Sequence, residues 1–261
     1  MNVFSARPVL ALRSALYIGL LIATVVPYSV CVVLWSWVPH PRRYWLVTGW
    51  TGFAVWSGRW ICGLRYEVLG RENLPQGPAI IQPKHQSAWE TLWLTIGLPK
   101  PLTFVYKHEL NYVPFFGWAL ASLRMINIDR SRGSDAFEQV VQQGTECLAR
   151  DWWIVIFPEG TRTAPGAPPR YKTGGSRLAV RTGAPVVPIA INSGELWPRR
   201  AFIKLPGTIT VSIGPPIYPE GRSAEVVASL LQDWIETEMR RLAPHRYIGS
   251  PAAGPADAVS A

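Results

Sequence analysis

The sequence is short of charge: Asp, Glu, Lys and Arg make up 16% of its 261 residues, against roughly 25% in an ordinary soluble domain. So sparse a set of charges argues against a chain that meets water on every side. Acidic residues are the scarcer sign, 17 against 26 basic ones, leaving a formal net charge of +9 and a pI near 9.8. That balance suits nucleic acid, an anionic membrane surface or a phosphorylated substrate. Nucleic acid is set aside, because the basic residues are scattered, with no arginine-rich run and no nucleic-acid-binding motif. Cysteine is scarce as well. Cys31, Cys62 and Cys147 are an odd number, widely spaced and without a C-x-x-C pair. They argue against a disulfide framework or zinc site and fit a reducing compartment. There is no G-x-S-x-G elbow and no paired catalytic cysteine, so a covalent acyl-enzyme is not implied. His108-Glu109 lacks the second histidine of an H-E-x-x-H zinc helix. No internal repeat is present.

What is abundant is apolar: 48% hydrophobic residues and 13 tryptophans, whose indole rings sit well at a lipid–water boundary. No Asp, Glu, Lys or Arg lies strictly between Arg13 and Arg42. Within that window Ala15 to Val38 is almost wholly apolar, and a spanning helix needs about 20 residues. Pro27 should kink it. Arg7 and Arg13 also fit the n-region of a signal peptide, but Trp35 to His40 is no small-residue cleavage site, which favours a retained anchor. Tyr44 to Trp56 is short for a second crossing and reads as a re-entrant or interfacial helix. Arginines flank the first segment on both sides, so charge bias leaves its orientation open.

Beyond residue 60 the chain alternates strand-like and helix-like pieces. Expected strands are Arg65–Leu69, Ala79–Pro83, Leu102–Tyr106, Met125–Asp129, Trp153–Phe157, Val186–Ile191 and Thr208–Ile213. Expected helices are Ser87–Ile96, Pro114–Ser122, Ser134–Ala149, Gly174–Thr182 and Ser223–Leu242, with Ser134 and Ser223 as N-caps. This alternation predicts an α/β fold, a mixed central sheet flanked by helices, behind an N-terminal hydrophobic helical anchor. The division expected is residues 1–60 for the anchor, 61–245 for the α/β domain and 246–261 for a disordered tail.

Of the four histidines, His40 and His245 read as surface residues. His85 follows the strand Ala79–Pro83, and open α/β sheets place their sites at strand carboxyl ends. Glu90 stands five residues on, in His85-Gln86-Ser87-Ala88-Trp89-Glu90. From the first turn of a helix its carboxylate can reach back to the imidazole, fix the tautomer and leave the other nitrogen free to accept a proton. Taken alone, the pair fits a structural histidine beside an ordinary helix-face glutamate at least as well. Phe157-Pro158-Glu159-Gly160-Thr161-Arg162 also follows an apolar strand: Gly160 permits a tight turn, Thr161 offers a hydroxyl and Arg162 a fork suited to phosphate. Alone, it also fits a plain turn with a solvated arginine. Lys107 and Arg130 end strands too, and cations ending neighbouring strands would converge on one edge and suit an anionic substrate.

The order His85…Glu90, Arg130, Phe157–Arg162, then Val187-Pro188-Ile189-Ala190 resembles the glycerolipid acyltransferases of the 1-acylglycerol-3-phosphate O-acyltransferase type, over roughly residues 60 to 220. The resemblance implies that His85 is the catalytic base, within a first block written H-x4-D; here Glu90 stands where that family usually has Asp. It implies that Arg130 and Glu159, Gly160, Thr161 and Arg162 bind the glycerol phosphate, with the strand Val187–Ala190 near the site. Lys172, in Tyr171-Lys172-Thr173-Gly174, looks like the family's lysine after the third block, and Lys107 joins the substrate-binding candidates. The reaction implied is acyl transfer from a thioester, on coenzyme A or acyl carrier protein, to a phosphate-bearing membrane glycerolipid. No metal or cofactor is expected, and the place is a cytoplasmic membrane with the site on its cytoplasmic face. Another acceptor, glycerol-3-phosphate or a lyso-ornithine lipid, remains open, as does hydrolysis with water as acceptor.

Overall fold

Ile80 and Ile81 adjoin in the chain yet belong to different apolar cores, because successive side chains of a strand point to opposite faces. The computed structural model describes residues 6–112, 117–118, 123, 125–128, 134–168 and 170–247. Among these residues seven strands form one sheet: β1 (Leu64–Leu69), β2 (Ile80–Pro83), β3 (Leu102–Lys107), β4 (Ile126–Ile128), β5 (Trp153–Val155), β6 (Val186–Ile191) and β7 (Gly207–Ile213). Their order is β1-β7-β6-β2-β5-β3-β4. β6, β2, β5, β3 and β4 run parallel, so their carboxyl ends share one edge. β7 pairs antiparallel with β6 and parallel with β1, which makes the sheet mixed as expected.

The first core gathers Ile81, Trp153, Val155, Val187, Ile189 and Ile191 under α1 (Arg7–Leu34), α2 (His40–Cys62) and α3 (Trp89–Gly97). The second gathers Ile80, Ile154, Val186 and Ala190 under α4 (Ser134–Ala149), α5 (Gly174–Thr182) and α6 (Ala224–Leu242). Every expected strand is present within a residue or two of its expected ends. So are four of the five expected helices. The fifth, Pro114–Ser122, lies outside the described residues except at Gly117 and Trp118. Ser223 caps α6 as expected, its hydroxyl accepting the Val226 N–H at 3.3 Å. Of the expected tail, residues 248–261 lie outside the described residues.

The N-terminal region differs most from expectation. α1 begins at Arg7 rather than Ala15, continues through Pro27 and ends at Leu34, 28 residues in all. It is long and apolar enough to cross a membrane, by length and composition. α2 is longer than the expected Tyr44–Trp56: Pro41 sits in its first turn, and Gly63 at φ 74° closes it in the left-handed conformation glycine tolerates. Nor does α1 stand apart from the sheet domain. It packs along α2, with Tyr17 OH donating to the Ala54 carbonyl at 2.9 Å and Trp50 Nε1–H to Thr24 Oγ1 at 3.1 Å. α2 in turn lies on α3 and the sheet, through a 2.7 Å Thr51–Thr95 hydroxyl bond and the Tyr44 ring edge-on to Trp152. Leu12, Leu16, Ile22, Val26 and Leu34 remain exposed on α1, and Trp45, Trp56 and Trp60 on α2, with Trp37 in the connecting turn 80% exposed.

Trp153 is fully buried, and its indole N–H donates to the Gly77 carbonyl at 2.9 Å. Trp153→Ala should therefore cost about 3–5 kcal/mol of folding free energy. Denaturant titration of the purified variant in detergent reads this directly, and an unchanged midpoint contradicts the packing.

Candidate active site

Two loops meet at the shared carboxyl edge. Past β2, the Lys84 N–H still pairs with the Ile189 carbonyl at 2.8 Å, and the chain then leaves the sheet at His85. Past β5 comes a tight turn in which the Gly160 N–H bonds the Phe157 carbonyl at 3.0 Å. Gly160 has φ 66°, in the left-handed region that glycine occupies without penalty. The loops are tied together where the Thr163 N–H donates to the His85 carbonyl at 2.8 Å.

Glu90 is the second residue of α3, completely buried, and its carboxylate faces back toward the loop before the helix. One oxygen, Oε2, accepts from His85 Nδ1–H at 2.6 Å. The other, Oε1, accepts the N–H groups of Gln86 (2.8 Å) and Ser87 (2.9 Å) and the hydroxyl of Ser193. These amides precede the first helical turn, where backbone donors otherwise lack partners. One carboxylate thus closes the helix start and orients the imidazole. The longer glutamate side chain, in the place where an aspartate was expected from the resemblance, spans both tasks. The imidazole lies on the Phe157 ring, centroids 3.7 Å apart and planes 22° from parallel. Its side chain is 12% exposed. With Nδ1 donating to the carboxylate, Nε2 is the basic nitrogen, and it has no hydrogen-bond partner among the described residues.

The turn residues divide. Glu159 is buried and points away from solvent: it takes the Lys84 ammonium at 3.0 Å, the Thr163 hydroxyl at 2.9 Å and the His85 backbone N–H at 2.7 Å. Thr161 is exposed and Arg162 half-buried, its carbonyl accepting from Arg199 at 2.8 Å. Lys172 comes to the same turn, with its Nζ 3.1 Å from where a Cβ on Gly160 would lie and its N–H bonded to the Pro158 carbonyl at 2.8 Å. The backbone of Lys107 ends β3, next to β5 on the same edge; its side chain, and all of Arg130, lie outside the described residues.

Sequence reasoning missed four contributors. Lys84 is fully buried between Glu159 (3.0 Å) and Glu236 of α6 (2.6 Å). Burial works to lower its pKa, but the two carboxylates outweigh it and hold the ammonium above the usual lysine value. Tyr171 donates to Glu236 at 2.9 Å, and burial, reinforced by Glu159 and Glu236, pushes its pKa up and keeps it a donor. Ser193 follows β6 by two residues, a strand end of the kind that pointed to His85, but serine at a strand end is too common to single out. Glu236 reads in the sequence as an ordinary helix charge.

Residues 65–192 match the model of the family described as Acyltransferase. Over 211 residues the chain is 47% identical to a 1-acyl-sn-glycerol-3-phosphate acyltransferase of Pseudomonas aeruginosa, covering 79% of this chain and 82% of that protein. It is 31% identical over 176 residues to a 1-acyl-sn-glycerol-3-phosphate acyltransferase alpha of Mus musculus, covering 66% of this chain and 61%, less than two thirds, of that relative. Among solved structures, a 1-acyl-sn-glycerophosphate acyltransferase from Thermotoga maritima shares the fold. The TM-score is 0.73 and the identity 22%, over 88% of this chain and 95% of that one.

Glu90→Ala would strand three buried donors, the Gln86 and Ser87 amides and the Ser193 hydroxyl. An unsatisfied buried donor costs about 1–3 kcal/mol, so the variant should lose at least about 2 kcal/mol of unfolding free energy. Chemical denaturation checks this; stability equal to the parent would mean these bonds are not made.

Proposed function

The chain belongs to the acyltransferase family, and on that premise we propose that it moves a fatty acyl group from a thioester to the sn-2 hydroxyl of 1-acylglycerol-3-phosphate, giving phosphatidic acid. One observation carries the reading: His85 has Nδ1 bonded to Glu90 and Nε2 unpartnered among the described residues, and the turn tied to its loop bears Arg162 and meets the Lys172 amine. Nε2 takes the proton of the acceptor hydroxyl as its oxygen attacks the thioester carbonyl. A C–O bond forms, the tetrahedral intermediate collapses, the C–S bond breaks, and the imidazolium returns its proton to the departing thiolate. A thiol pKa near roughly 8.5 makes that sulfur a good leaving group, so no stronger acid is required. Glu90 stabilises the imidazolium while it exists.

Arg162 and Lys172 hold the acceptor phosphate, with Arg130 and Lys107 as further cations; Gly160 and Thr161 shape the turn that bears Arg162. Glu159, buried under Lys84, serves this arrangement from beneath, by fixing the His85 backbone. The donor is acyl-coenzyme A or acyl carrier protein, and no metal or further cofactor takes part. Residues 1–60 seat the protein on the membrane and 61–245 carry out the transfer, at the cytoplasmic face of a cytoplasmic membrane. The exposed apolar flank of α1 and the tryptophans of α2 support a hairpin that lies in the interface with the sheet domain against it, since α1 is bonded along its length to α2.

A donor-by-acceptor activity matrix in detergent tests the function: transfer should require 1-acylglycerol-3-phosphate, whereas preference for glycerol-3-phosphate, or fatty acid release with no acceptor, would overturn it. His85→Ala should lower kcat by about 10²–10⁴-fold while flotation with liposomes is unchanged. Arg162→Ala should lower kcat/KM for the phosphorylated acceptor by about 10–100-fold through loss of positioning; unchanged constants would remove Arg162 from the phosphate site.

A further inference from the structure

Lys84, Glu236 and Tyr171 form a buried network that the chemistry above does not use. The Lys84 ammonium lies between Glu236 at 2.6 Å and Glu159 at 3.0 Å and 5.4 Å from the centre of the Tyr171 ring. Lys84, Glu159 and Glu236 are all less than a tenth exposed. Glu236 also accepts the Tyr171 hydroxyl on the oxygen that meets Lys84, and its other oxygen has no partner among the described residues. Two carboxylates and one ammonium in a low-dielectric interior are an expensive way to gain stability, since apolar residues of similar size often serve a fold as well or better.

The contacts run in a line. Glu236 sits on α6, beyond the residues 65–192 matched by the family model. From it, Lys84 reaches Glu159, and Glu159 Oε2 accepts the backbone N–H of His85 at 2.7 Å. Lys84 is also the chain neighbour of His85. On a second branch, Tyr171 adjoins Lys172, whose amine lies over Gly160. The base loop and the cation turn are thus both tied to one carboxylate of α6.

We propose that Glu236 and Lys84 are positioning residues: they lock Glu159 in the geometry that holds the His85 backbone, and so keep the imidazole on Glu90. The inference rests on the proposed role of His85, but it concerns the placement of the ring, and its first readout needs no turnover. A reacting group misplaced by an ångström can lose about 10²-fold in rate, so a constraint on this loop can offset the cost of burying the ammonium.

The test compares the full-length protein in detergent with Lys84→Met, Glu236→Ala and Glu236→Gln. The first readout is the rate at which diethyl pyrocarbonate modifies His85, followed by peptide mass spectrometry with His245 as internal reference. The second is steady-state kinetics. In Lys84→Met and Glu236→Ala, His85 should react several-fold faster relative to His245. Their kcat should fall at least about 10-fold while acceptor KM moves less than about threefold, the split expected when positioning and not binding is lost. Glu236→Gln keeps an acceptor for both Lys84 and Tyr171 and should stay within about threefold of the parent in both readouts. Combining Lys84→Met with Glu236→Ala should add little to the larger single effect, because the two act in series. Should Lys84→Met not fold, Glu236→Ala, which leaves Lys84 on Glu159, carries the comparison. Unchanged His85 reactivity with unchanged kcat, or losses that only track the folded fraction, would overturn the proposal. If the parent transfers nothing to 1-acylglycerol-3-phosphate, the proposed function fails, and the modification rates still decide the positioning role.

Discussion

Everything at the carboxyl edge of the sheet depends on one buried carboxylate being fully occupied by donors. Glu90 accepts from two backbone amides, the Ser193 hydroxyl and the His85 imidazole. A carboxylate only accepts, and each neighbour can only usefully donate here, so the arrangement fixes which imidazole nitrogen carries hydrogen. The same bonds fasten the start of α3 and, through Ser193, the end of β6. Local helix chemistry, the sheet edge and the basicity of His85 Nε2 are therefore one constraint.

A second layer stands beneath the first. Glu159 belongs to the turn that bears Arg162, yet its carboxylate faces inward and takes the His85 backbone amide and Lys84. The motif so divides between an inward anchor and outward groups. Parallel β2 and β5 lie side by side, which is what brings a histidine and a glutamate 74 positions apart into a 2.7 Å bond. On the opposite side of the first core, α2 and α1 stack outward in sequence, so the face that carries exposed tryptophan and leucine is continuous with the domain that bears the site.

Much of this was legible from residues alone. Strands such as Val186–Ile191 are short apolar β-branched runs, and the sheet supplies the burial that such runs require. The reach of Glu90 back to His85 followed from expecting it in the first turn of a helix, and it stands second in α3. What stayed hidden depends on tertiary geometry. The inward aim of Glu159 is set by Lys84, and Lys84 is set by Glu236, 152 positions away; no local pattern couples them. Ser193 offers a hydroxyl like any other until β6 places it under α3. The N-terminal helices were recognisable as apolar, but hydropathy does not report the packing of α1 along α2, which rests on polar contacts such as Tyr17 to Ala54.

The central claim is that the Glu90 carboxylate holds His85 in the tautomer whose Nε2 is basic. Glu90→Gln tests it with little change of shape: the amide oxygen can keep the Gln86, Ser87 and Ser193 donors, which turns the NH₂ toward Nδ1 and forces the hydrogen onto Nε2. The kcat for acyl transfer, measured beside a denaturation curve, should fall by about 10³–10⁴-fold, as expected for a histidine held in the wrong tautomer, with stability largely retained. A kcat within a few-fold of the parent would contradict the account.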